Sequence, residues 1–181
     1  MLGLKGKVAF VFGVASEDSI AWGICKSLAE AGVTLYLGYQ KRFMSRVFKL
    51  KDELDAIEGF YPLDVIGDET TAEFFSAFAK DHPGVKADIL IHAIGFAPMG
   101  CFDRPIIFVE DQDLNTAMTV SAHSLQRCIR HALPYLNPNS STITLTYAAS
   151  TRFVPSYGIM SIAKASLECW TRELACHLGP E

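Results

Sequence analysis

Apolar positions along this chain come in short dense runs, separated by stretches where they recur every three or four residues. KVAFVF (7–12), VTLYLGY (33–39), ADILIHAIG (87–95) and STITLTY (141–147) are runs rich in apolar and β-branched residues. Such runs predict strands buried on both faces. GFYPLDV (59–65) adds another strand, closed by Pro62. From Ser19 to Ala31, the residues Ile20, Ile24, Leu28 and Ala31 keep helical spacing, and Gly32 supplies a stop. Helices are also predicted over 69–81, over a long stretch from 111 to 133 ended by Pro134, and over 157–178. Residues 42–56 form a charged amphipathic segment, and 96–110, with two prolines, predict a loop.

Strands alternating with helices predict an α/β fold with a doubly wound parallel sheet, Rossmann-like, as one dinucleotide-binding domain over 1–181. Ligands of such a sheet bind at the carboxyl ends of its strands. No internal repeat and no low-complexity linker interrupts the pattern.

Composition narrows the partners. The net charge of −4 argues against nucleic acid, because phosphate binding wants a basic surface. Cys25, Cys101, Cys128, Cys169 and Cys176 form no C-x-x-C pair and are odd in number. They are expected as buried free thiols of a cytoplasmic protein, and no metal is expected. No apolar stretch is long enough to span a bilayer. MLGLKGK ahead of VAFVFGVA has the outline of a signal peptide, but the apolar run is short and the residues after it continue the fold.

The strand ends carry the candidate chemistry. GVASEDSIAWG (13–23) stands where a phosphate loop belongs, yet no glycine follows Gly13 until Gly23. Gly13 permits a sharp turn, and Ser19 can cap the next helix, whose first N–H groups form an anion site for a pyrophosphate. The physics needs a turn and a helix N-terminus, not three glycines. An ordinary strand–loop–helix connection fits the same stretch. After the second strand, Gln40 takes the place of the usual ribose-binding carboxylate, and Lys41 and Arg42 behind it leave NADPH open beside NADH. Asp64 and Val65 end the third strand, where a carboxylate can meet adenine or simply cap a turn. Gly95 would let a cofactor approach the backbone after the fourth strand.

Tyr147, Tyr157 and Lys164 are the sharpest constellation. On one helix, Tyr157 and Lys164 would lie two turns apart on one face, a rise of about 10.5 Å. A lysine reaching back toward the tyrosine would lower the phenol's pKa.

Together, Gly13-x5-Ser19-Ile20-Ala21-x-Gly23, the IGFAP run at 94–98, Tyr147-x9-Tyr157-x6-Lys164, IAKASLE (162–168) and the closing LGPE resemble the NADH-dependent enoyl-acyl carrier protein reductases. These belong to the short-chain dehydrogenase/reductase superfamily. Carbonyl-reducing members usually carry a serine where Thr144 stands, and have no need of a tyrosine at 147, so the resemblance implies C=C reduction. It implies that Tyr157 stabilises an enolate oxygen, Lys164 binds the nicotinamide ribose and Tyr147 shapes the acyl pocket. Gly13, Ser19 and Ile20 would hold the pyrophosphate, Gln40 the adenosine ribose, Asp64 and Val65 the adenine, and Ile94 and Gly95 the nicotinamide side. Ala97 and Met160 would meet an enoyl substrate carried on acyl carrier protein. A homotetramer built through the two long helices is implied as well.

Four positions depart from the family. Phe12 replaces a small hydroxyl residue and threatens to crowd the phosphate loop. Leu63 replaces a cysteine, Ser161 a glycine, and His123 a frequent tyrosine. The family fold also continues past LGPE for roughly another third, so a chain truncated after the fifth strand and following helix is expected, with the fifth strand at a sheet edge. A non-catalytic NAD-binding remnant and a carbonyl-reducing dehydrogenase are the alternatives.

Overall fold

A computed structural model describes residues 3–179. Met1, Leu2, Pro180 and Glu181 lie outside it, and with them the ends of the signal-like start and of LGPE. Five strands, β1 (Val8–Phe12), β2 (Thr34–Tyr39), β3 (Ile57–Pro62), β4 (Ala87–His92) and β5 (Leu136–Thr144), form one sheet in the order β3-β2-β1-β4-β5. β1 pairs in parallel with β2 and β4, and β2 with β3. This is the expected Rossmann-like α/β sheet. The helices are α1 (Ile20–Glu30), the short α2 (Met44–Val47), α3 (Asp68–Asp81), α4 (Asp111–Met118), α5 (Ser124–Ala132) and α6 (Ile159–Leu178). The described residues fall into two compact units, one up to residue 93 with 131–143, the other 94–130 with residues from 144 onward.

In the first unit, strand alternation sorts two cores. Ala9, Val11, Leu35 and Leu37 pack with Ala21, Trp22 and Cys25 of α1. The intervening Phe10, Phe12 and Tyr36 face α3, where Phe10 and Phe78 meet edge to face at 4.8 Å and Phe12 and Phe74 at 4.9 Å. Phe12 is therefore fully buried on the α3 face, and its bulk goes into the core rather than into the loop after it. Gly32 stops α1 as expected: with φ +80° it lets its own N–H reach the Ala29 carbonyl at 2.9 Å and the Val33 N–H reach Leu28 at 3.0 Å.

Besides β3, which starts at Ile57 and ends at Pro62, and α6, which starts at Ile159, three elements differ from expectation. β5 starts five residues before the expected Ser141 and ends at Thr144. Its first half, LNPNSS, is polar and includes Pro138, which an edge strand tolerates. The long helix 111–133 is broken by a π-turn at Thr119–His123, and Pro134 lies in a 3-10 turn, Leu133–Tyr135, where its missing N–H costs little. The charged 42–56 segment resolves into two 3-10 turns around α2.

The second unit has its own interior, with Ala122, Leu125, Ile129 and Leu167 packed together, and Cys101, Ala117 and Ile159 in a smaller cluster. Of the five thiols, Cys25, Cys101 and Cys128 are buried as expected, whereas Cys169 and Cys176 are exposed on α6. Burial pushes Cys25 and Cys128 each up to about 12, too high for reactive thiolates.

Candidate active site

In the first unit the β1–α1 connection is built around Gly13. Its φ of +107° suits glycine, and a Cβ there would run into the Ala93 carbonyl. Ser19 is the N-cap of α1: its Oγ accepts from the Trp22 N–H at 3.3 Å and donates to the Ser16 carbonyl at 2.7 Å. Ile20 is exposed at the helix start. The turn and the open helix end that phosphate binding needs are thus both present, made without further glycines.

Gln40 follows β2 with its side chain half-buried and makes no capping bond. Behind it the Arg42 guanidinium lies 4.7 Å from the Phe43 ring centroid. Asp64 is exposed after β3, where its Oδ1 accepts from the Ile66 N–H at 3.1 Å and its carbonyl accepts from Thr70 and Thr71 hydroxyls. Val65 beside it is buried. Asp64 thus shapes its own turn.

In the second unit, Tyr157 stands just before α6, not on it. Helix geometry begins at Ile159, and Tyr157 sits in a turn between Ser156 (φ +64°) and Gly158 (φ +51°). The two-turn spacing expected for Tyr157 and Lys164 on one helix face is therefore not realised. Lys164, in the second turn of α6 and 7% exposed, donates from Nζ to the Leu145 carbonyl at 2.7 Å. Its burial holds the ammonium below the ordinary lysine range.

Tyr157 instead meets Tyr147, whose ring centroid lies 4.7 Å away at an interplanar angle of 54°. Burial, and then the Tyr147 phenol, push the Tyr157 pKa up. This reverses the expected lowering by Lys164. A phenol held above its usual range stays protonated at neutral pH, as a hydrogen-bond donor must.

Ile94 and Gly95 follow β4 in sequence. A Cβ on Gly95 would make ordinary contact with Lys164 Nζ and Met160 Cε, each at 3.6 Å, which places this stretch of backbone beside the buried ammonium. Ala97 packs against the Cys101, Ala117 and Ile159 cluster. Met160 is buried with its Sδ 3.5 Å from Ser121 Oγ. His123 meets Trp170 edge-on at 6.3 Å between ring centroids.

Two side chains here carry roles that the sequence pattern did not mark. Ser121, in the π-turn and fully buried, donates to the Phe96 carbonyl and accepts from the Phe96 N–H, both at 2.8 Å. Glu168 accepts from the Thr146 hydroxyl at 2.6 Å and from the Ser150 hydroxyl at 2.5 Å. Glu168 was findable, since it follows Lys164 by four residues and shares its helix face. Ser121 carried no signal, because a π-turn leaves no mark in apolar spacing.

The chain matches the family model described as enoyl-(acyl carrier protein) reductase over residues 13–181. The chain belongs to the enoyl-(acyl carrier protein) reductase family. It is 37% identical over 185 residues to the enoyl-[acyl-carrier-protein] reductase [NADH] FabI of Synechocystis, covering 100% of this chain and 70% of that relative. The Aquifex aeolicus enoyl-[acyl-carrier-protein] reductase (NADH) superposes with a TM-score of 0.92 at 32% identity, covering 98% of this chain and 70% of that one. The enoyl-(acyl-carrier-protein) reductase of Anaplasma phagocytophilum, in complex with NAD, superposes with a TM-score of 0.90 at 29% identity, over 98% and 67% of the two chains. This member of the enoyl reductase family thus spans about two thirds or slightly more of each relative. Among its described residues no helix is long and apolar enough to cross a membrane.

Proposed function

We propose that this chain reduces the trans-2 double bond of enoyl thioesters carried on acyl carrier protein, with NADH as cofactor, in fatty acid biosynthesis. The observation that carries the reading is the Tyr147–Tyr157 ring pair with Tyr157 held protonated. Family membership and the NADH named for its relatives support the cofactor.

The residues present fit a dinucleotide. Gly13 lets the chain turn sharply against the Ala93 carbonyl, Ser19 presents a capped helix start, and the Gly95 backbone runs beside the Lys164 ammonium. In this reading Gly13, Ser19 and Ile20 bind the pyrophosphate, Gln40 the adenosine ribose, and Asp64 and Val65 the adenine. Ile94, Gly95 and Lys164 bind the nicotinamide ribose side. NADH, when bound, would supply hydride to the β-carbon of the enoyl thioester and leave as NAD⁺, and the α-carbon of the resulting enolate would take the balancing proton from solvent. Tyr157 donates its phenol hydrogen bond to the thioester oxygen as negative charge gathers there. Tyr147 holds the Tyr157 ring and closes the acyl side with Ala97 and Met160. Lys164, its ammonium desolvated, keeps the local potential positive.

The same proposal covers the chain acting as a single dinucleotide-binding domain in the cytoplasm, as a homotetramer. Exposed Ile107, Phe108, Phe153 and Ile162 supply apolar surface of the kind that subunit contacts bury. The test is NADH oxidation with a crotonyl thioester, with NADPH in parallel. Turnover with NADH supports the reading; tight NADH binding without turnover would instead make the chain a non-catalytic NAD-binding protein.

A further inference from the structure

Tyr147 lies on an exposed loop and is itself 45% exposed, yet its ring is placed against Tyr157. Something must hold that loop. On one side, Lys164 Nζ takes the Leu145 carbonyl at 2.7 Å. On the other, one carboxylate oxygen of Glu168 accepts from both Thr146 Oγ1 at 2.6 Å and Ser150 Oγ at 2.5 Å. Thr146 and Ser150 bracket Tyr147 in sequence, and the 3-10 turn Ala148–Ser150 between them is closed by the Ser150 N–H on the Tyr147 carbonyl at 2.9 Å.

Hydroxyl-to-carboxylate bonds of this length are charge-assisted and stronger than neutral ones. They hold the Glu168 carboxyl below the usual carboxylate range, with Arg172 one turn further along α6 adding to the effect. Lys164 and Glu168 are themselves one turn apart, so a single face of α6 grips residues 145–150 at three points.

We infer that Glu168 is a positioning residue for the reductase reaction, clamping Thr146 and Ser150 so that the Tyr147 ring stays against Tyr157. It touches no substrate or cofactor and acts through Tyr147. The inference rests on the proposed reductase reading for its effect on turnover, but the clamp itself can be read without activity.

The experiment places 3-fluorotyrosine at position 147 of the full chain and compares Glu168→Ala with the parent, with fluorotyrosine at Tyr39 as control. The expected result is a shifted and broadened fluorine line at 147 and an unchanged one at 39. In kinetics, KM for the crotonyl thioester should rise about tenfold while the Kd for NADH changes less than about twofold. Glu168→Gln, which keeps an acceptor oxygen, should restore most of the parent behaviour. The double variant Thr146→Val/Ser150→Ala should reproduce Glu168→Ala from the loop side, and covers the case in which Glu168→Ala does not fold. A 147 line that superposes on the parent in either variant overturns the clamp. So does an equal loss of NADH affinity, which would mark general structural damage. If the parent itself fails to turn over the thioester, the reductase reading falls, and the fluorine lines still judge the clamp.

Discussion

The Tyr147 ring lies 4.7 Å from that of Tyr157, tilted by 54°, and Tyr157 is the more buried of the two. Desolvation and the second phenol both resist ionisation of Tyr157, so its hydroxyl is a donor across the neutral range. Tyr157→Phe removes only that hydroxyl. Turnover of an enoyl thioester should fall about 10²-fold, the size of effect seen when one oxyanion donor is lost. NADH binding, measured by fluorescence titration, should stay within about twofold of the parent. Unchanged turnover would take Tyr157 out of the chemistry.

Lys164→Met leaves the Leu145 carbonyl without its 2.7 Å donor. An unpaired acceptor costs about 1–3 kcal/mol when fully buried, and the half-buried Leu145 carbonyl stands at the lower end. Part of this is offset, because the ammonium, whose pKa burial depresses, is removed from its desolvated position as well. The net loss in urea unfolding should be about 1 kcal/mol. NADH affinity should fall by about tenfold or more if Lys164 makes the proposed contact with the nicotinamide ribose.

Most of the sheet was legible in the sequence because buried parallel strands are dense apolar runs: β1, β2 and β4 lie within the runs 7–12, 33–39 and 87–95. β5 was misplaced because an edge strand need not be apolar, and LNPNSS carries no run to read. Tyr147, Tyr157 and Lys164 were legible as residue types at a spacing. Their arrangement was not, because Ser156 and Gly158 take left-handed conformations that displace Tyr157 from the helix. Departures from a family pattern were visible one by one, but only packing shows that Phe12 and Leu63 meet over Gly38.

That three-way contact makes its own prediction. A Cβ on Gly38 would lie 2.7 Å from Phe12 Cδ1 and 2.8 Å from Leu63 Cδ2, in a core with no slack. Gly38→Ala should cost about 1–3 kcal/mol by overpacking. Phe12→Ala alone should cost about 3–5 kcal/mol by opening a cavity among the α3 aromatics. The double variant should lose less than the sum, with a coupling of about 1 kcal/mol or more in chemical denaturation. Additive losses would show that the three residues do not share one space.

Gly13→Ala meets two obstacles in the first unit: a φ of +107°, and the Ala93 carbonyl where the methyl must go. Backbone strain of this kind costs about 1–3 kcal/mol before the clash is counted. Because β1 pairs with β4 at Phe12 and His92, the clash falls one residue beyond the end of that ladder and has little room to relax. Thermal unfolding should drop by several degrees, and NADH affinity should fall with it, as the turn feeding Ser19 shifts.

Acid should find the first unit through Asp88. Burial works to raise its pKa, but the Lys7 ammonium at 2.8 Å, the Val8 N–H at 3.0 Å and the Asn137 amide at 3.2 Å together outweigh it, and the net shift is downward. A carboxyl whose folded pKa lies below its unfolded value of about 3.9 contributes stability above that pH. The contribution is lost as pH falls through the folded value. Asp88 ties the start of β1 to β4 and β5, so its protonation loosens three strands at one end. Urea midpoints should therefore hold from neutral pH to about 4 and then decline. Asp88→Asn should be less stable at neutral pH and show a shallower acid decline. Since the Lys7 side chain is 46% exposed, salt should weaken the neutral-pH difference between the two proteins. Parallel acid curves for parent and Asp88→Asn would assign the decline to other carboxylates.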